Sequence, residues 1–153
     1  MKKLSLKRII CWLCFIIYLA SLFYFVFFAS FLDRNFDNSE YRYNIYLFRE
    51  IKRFWEYRGE IGKIWILNIA GNVLAFMPFG FLLPIVSNRK VRIILTIILS
   101  FALSLLIELG QLVTRVGAFD VDDILLNTIG GFLGFLIYAL IYKIITHKKS
   151  HVK

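Results

Sequence analysis

Charge is what this chain lacks over most of its length. The runs Ile9–Leu32, Ile64–Val86 and Ile124–Tyr142 hold no charged residue, and Ile93–Val113 holds only Glu108. With 59% of its 153 residues hydrophobic, too little polar sequence remains to coat a soluble core. Cysteine and histidine are nearly missing as well, two of each. Cys11 and Cys14 form a C-x-x-C at the end of an apolar run with no other soft ligand nearby, so they read as small packing residues rather than a redox or metal pair. His147 and His151 fall in a basic tail and do not read as ligands. No metal or cofactor is expected. The first run has no A-x-A site after it and far exceeds the 7–15 apolar residues usual in a signal peptide, so it reads as a retained span.

What is present is four stretches long enough to cross a bilayer, which takes about 20 apolar residues. Backbone polar groups in lipid must be satisfied within the segment, so these stretches are expected to be helical. The expected fold is an all-α membrane protein, one domain over 1–153, with spans at 9–32, 64–86, 93–113 and 124–145. The net charge of +9 is not spread as nucleic-acid binding would need. It gathers at Lys2, Lys3, Lys7 and Arg8, at Arg89, Lys90 and Arg92, and at Lys143, Lys148, Lys149 and Lys153. Those segments share one side of a four-span chain, and the positive-inside rule places both termini in the cytoplasm. The loop Thr114–Asp123, with one arginine and three aspartates, is then external.

The first external loop holds an amphipathic segment at about 44–58. Leu47, Phe48, Ile51, Phe54 and Trp55 fall within an arc of about 120°, opposite Arg49, Lys52, Arg53 and Glu56. This pattern fits a helix lying in the membrane interface, with a short helix packed on the protein as the alternative.

Polar side chains inside the spans are costly in lipid and point to function or to buried partners. Asn68 and Asn72 lie one turn apart in the second span, where Gly71 and Ala75 offer a small-residue strip and Pro78 is expected to weaken the helix. Thr96, Ser100, Ser104 and Glu108 recur every four residues in the third, continued outward by Gln111 and Arg115. The three hydroxyls read as bonded to their own backbone carbonyls. In the fourth, Asp120 is an N-cap candidate, Asp122 and Asp123 sit in the first turn, Asn127 follows, and Gly130, Gly131 and Gly134 give a thin surface. At 1.5 Å per residue, Asn68 and Asn72 lie about 6 and 12 Å below the external surface, Glu108 about 7 Å and Asn127 about 5 Å. The expected result is one externally open polar site. Its carboxylates Glu108, Asp120 and Asp123 are the candidates for acid–base work. Asn68, Asn72, Gln111, Arg115 and Asn127 are the candidates for ligand contacts.

The blocks NIAGNVLAFMPFG and IELGQLVTRVGAFDVDDILLNTIGGFLG resemble the VanZ-like proteins of bacteria. Asn68, Asn72, Pro78, Gly80, Glu108, Gln111, Asp120, Asp123, Asn127 and Gly130 occupy the matching positions. NIYLFREI resembles a further family segment that places Asn44 and Phe48, with Leu47 where proline is usual. The resemblance implies a multi-pass protein of the bacterial cell membrane, associated with resistance to teicoplanin and other (lipo)glycopeptides. The partner expected at the site is an envelope lipid or lipid-linked cell-wall precursor, not nucleic acid. A small oligomeric transporter or flippase, an enzyme acting on a phosphate-containing lipid, and a purely structural bundle stand as alternatives, as does self-association.

Overall fold

The computed structural model describes residues 6–29, 41–57, 59, 64–88 and 90–150. Helix α1 spans Leu6–Tyr24 and continues as a π-helical turn over Phe25–Ala29. The last expected residues of the first span lie outside the described residues. The short helix α2 covers Arg49–Glu56, α3 Ile64–Val86, α4 Ile93–Thr114 and α5 Val121–Ser150. Among the described residues, four segments are long and apolar enough to cross a membrane: Arg8–Phe28, Ile66–Val86, Ile93–Thr114 and Val121–His147. At about 1.5 Å per residue α5 is about 45 Å long, more than a hydrocarbon core of about 30 Å.

Pro78 and Pro84 both lie inside α3, which runs unbroken through them. The helix stops two residues later instead, where Asn88 adopts a left-handed conformation at φ 56°. The Ser87 hydroxyl donates to the Pro84 carbonyl at 3.2 Å and accepts from the Val91 N–H at 3.4 Å, closing the turn.

Helices α3 and α5 form the tightest pair, and glycine makes it so. A Cβ on Gly130 would meet the Val73 carbonyl, one on Gly134 the Met77 carbonyl, and one on Gly80 the backbone of Gly131. Without a hydrophobic force between helices in lipid, such backbone approach supplies the packing energy. Gly71 is not part of this seam: the space beside it is open. It lies about 160° round the helix from Val73, away from α5. Helix α1 is tied to α3 by the Tyr18 hydroxyl, which donates to the Ala75 carbonyl at 2.8 Å. The buried apolar side chains form two small clusters, Phe15, Phe79 and Val86, and Leu22, Phe76 and Ile107.

One end of the bundle is closed by its loops. Strand β1 (Tyr43–Asn44) pairs in parallel with β2 (Phe119–Asp120), Tyr43 opposite Phe119 and Asn44 opposite Asp120. The Phe119 N–H adds a bond to the Arg42 carbonyl at 3.0 Å. Segments far apart in sequence are thereby tied beside the start of α5 and the end of α4.

Candidate functional site

Helix α5 needs an N-cap, and Asp120 supplies it: its Oδ1 accepts the Asp122 N–H at 2.8 Å. The same oxygen accepts from the Asn44 amide at 3.1 Å, while Asn44 Oδ1 accepts the Tyr46 N–H at 3.2 Å. Glu108, only 3% exposed, reaches across from α4 to accept the Asp120 N–H at 2.9 Å. A carboxylate that deep is stabilised by a backbone donor that the strand would otherwise leave unpaired.

Asp122 does something different. It is 1% exposed, and it caps not its own helix but α2. One carboxylate oxygen accepts the Phe48 N–H at 2.5 Å; the other accepts the Glu50 N–H at 2.9 Å and the Ile51 N–H at 3.3 Å. Phe48, the residue before the helix, sits in the left-handed region at φ 65° and brings no side-chain cap of its own. An acidic residue borrowed from α5 thus satisfies the orphan donors at the α2 N-terminus.

Below this layer the Asn72 amide of α3 donates to Asp123 Oδ1. Deeper still, the Asn127 amide donates to the Ser104 hydroxyl at 2.9 Å. Among the described residues, the hydroxyls of Thr96 and Ser100 are fully buried without a hydrogen-bond partner, so neither is bonded to its own helix.

Of the residues picked out in the sequence, Glu108, Asp120, Asp123, Asn72 and Asn127 are all drawn into these contacts. Asn68 is exposed and takes no part in them among the described residues. Gln111 is half-buried with its side chain packed on Gly117, where a Cβ would lie 2.9 Å from its amide carbon. Arg115 ends α4 in a left-handed conformation at φ 55° and turns outward. Its guanidinium bonds the Tyr41 hydroxyl at 3.3 Å and lies 4.5 Å from that ring's centre. It belongs to a rim, not to the acidic interior. Asn44, which the family resemblance marks, is central, and so is Asp122, for which the only sequence signal is an excess of aspartates over what one cap needs.

Burial pushes the Asp120 carboxyl above its ordinary value, opposed by the Asp122 N–H and the Asn44 amide. Burial also raises Glu50, against the nearby Arg53, whose guanidinium it meets at 2.5 Å. Among the described residues no three histidine, cysteine, aspartate or glutamate side chains gather as a metal ion would require.

A capped four-span bundle with this Glu, Asp and Asn set corresponds to a known family. The family described as VanZ/LLP1 matches residues 15–142, most of the chain. The chain belongs to the VanZ/LLP1 family. It is 38% identical over 78 residues to Protein VanZ of Enterococcus faecium, across 51% of this chain and 48% of that protein. The match thus spans about half the length of that VanZ protein. No solved structure matches the chain. For this VanZ-family member, the blocks that carry the resemblance are also those that build the closed end of the bundle: α3 around Asn72, the end of α4, β2 and the first turns of α5.

Proposed function

We propose that this VanZ-family protein lies in the bacterial cell membrane with both termini cytoplasmic. Its loop-closed end then faces outward and engages an envelope lipid or lipid-linked cell-wall precursor, contributing to resistance to teicoplanin and related (lipo)glycopeptides. One observation carries the reading. Glu108 of α4, Asp120 of β2 and Asp123 of α5 converge with the amide of Asn72 from α3 at that end of the bundle. In this reading Glu108 is the acceptor or proton acceptor, Asn72 and Asn127 donate to ligand oxygens, and Arg115 with its neighbours meets phosphate at the rim. A reaction at the site would use Glu108 with Asp120 or Asp123 as acid and base.

A second reading is favoured by the Asp122 contacts: the carboxylates serve as a clasp that holds the external loops and bind nothing else. The two readings separate on variants that keep shape and remove charge. Cells carrying Glu108→Gln or Asp123→Asn are compared with parent cells for teicoplanin susceptibility at equal membrane abundance. Loss of protection in both supports the ligand site; full protection in both leaves only the clasp.

A further inference from the structure

The outer face of α2 and the strand before it carry a chemistry that the acidic site does not use. Arg49, Lys52, Arg53 and Glu56 share one arc of the helix, while Glu50 and Ile51 turn toward the bundle. Glu50 is held by Arg53, which leaves Glu56 as the acid exposed on that arc. Arg42 adds an exposed cation beside it. Exposed aromatic side chains flank them: Tyr43 and Tyr46 at 65% and, on the adjoining apolar arc of α2, Trp55 at 59%, with Tyr41 and Tyr57 close behind. The Arg49 guanidinium lies 5.8 Å from the centre of the Tyr46 ring.

We propose that this face is a docking surface for anionic phospholipid headgroups. Two independent observations lead there. The four apolar helices set the height of this end at the edge of the bilayer, and α2 is joined to the membrane-crossing α3 by only a short link. Its cations therefore lie at the level of lipid phosphates. The aromatic side chains beside them are the amphipathic type that settles among headgroups, ring toward the chains and polar end toward water. An acidic protein partner would match the cations and leave those rings in water. Each cation near an anionic surface favours an anionic lipid about fivefold. With Arg42, Arg49 and Lys52 all facing outward, the local preference is large. Helix α2 is thus held from two sides, by Asp122 of the bundle and by lipid phosphates at the bilayer edge. The inference does not depend on the acidic site having a ligand.

Trp55 is the reporter. The full chain with Trp12→Phe and Trp65→Phe is reconstituted into vesicles of equal phosphatidylglycerol and phosphatidylcholine. One of the two lipids carries bromines high on its acyl chains. Bromine on phosphatidylglycerol is expected to quench Trp55 at least about twofold more than bromine on phosphatidylcholine, with the excess shrinking as salt is raised. The further variant R42Q/R49Q/K52Q is expected to be quenched equally by both. Equal quenching without that charge removal would overturn the proposal. So would a preference that survives it, or no quenching by either lipid, which would put the face in water or against protein. None of these outcomes bears on the Glu108 and Asp123 variants, so the two proposals fail separately.

Discussion

Asp122→Ala removes a carboxylate that accepts three backbone N–H groups from another segment, at 2.5, 2.9 and 3.3 Å. Hydrogen bonds to charged groups contribute about 1.5–3 kcal/mol each when the alternative is an unpaired buried partner. They are not independent here, because the released donors of α2 lie at the surface and rehydrate. The loss of a helix cap costs about 0.5–2 kcal/mol. At 1% exposure Asp122 is not screened by solvent, so the loss exceeds that of an ordinary cap and follows the charged-bond range, and α2 docking is expected to weaken by about 2–3 kcal/mol. That corresponds to about 30- to 150-fold faster amide exchange from Phe48 to Glu56. The assay is hydrogen exchange read by mass spectrometry on protein in nanodiscs, with α3, α4 and α5 as internal controls. Asp122→Asn keeps one acceptor oxygen and is expected to fall between. Exchange unchanged in Asp122→Ala would refute the capping argument. Loss of protection throughout the bundle would show instead that Asp122 holds the spans together.

Three further outcomes follow from the packing. Gly80→Ala puts a methyl group 2.6 Å from the Gly131 carbonyl carbon, where backbone cannot yield, and is expected to cost about 2–3 kcal/mol in unfolding from detergent. Gly71→Ala, in open space, is expected to be neutral or to stabilise by up to about 1 kcal/mol. Asn127→Leu removes the bond to Ser104 and is expected to cost only about 0.6 kcal/mol in the same assay, the average for such bonds in membranes. Asp120 carries a raised value in the folded protein, so its protonated form is favoured by folding. Its contribution is full below the ordinary carboxylate range of about 4 and is lost as pH rises through the folded value. The stability of the parent relative to Asp120→Asn is therefore expected to fall as pH rises from about 4; a rise would contradict the burial argument.

The four spans were legible because lipid allows one backbone solution and because the apolar runs end in charge. That Asn72, Glu108 and Asn127 gather toward one end of the bundle was legible from depth, since helix rise fixes height, although Asn68 at a similar depth stays outside the contacts. Azimuth was not. Gly71 and Ala75 looked like the seam of the second span, yet the seam is formed by Val73, Met77 and Gly80, because α5 crosses the other side. The Thr96 and Ser100 hydroxyls were expected to bond their own helix and instead lie buried against neighbours. The parallel pairing of Asn44 with Asp120 has no sequence period to announce it, being two residues long. Nor does anything near Phe48 reveal that its helix is capped by Asp122, 74 residues away. Arg115 had the right spacing to extend the polar stripe, but a left-handed residue at the helix end swings it to Tyr41.

In the proposed site the charge at position 108 acts on a ligand and not merely on the Asp120 N–H, a bond that glutamine can still accept. The decisive measurement is equilibrium binding of a polyprenyl-pyrophosphate-linked muropeptide to the full chain in nanodiscs, comparing the parent with Glu108→Gln. Amide exchange at Asp120 and through Phe48–Ile51 is read on the same samples. Saturable binding to the parent, weakened at least about tenfold in the variant with exchange unchanged, is the predicted result. Equal binding in both, or none in the parent, would contradict it.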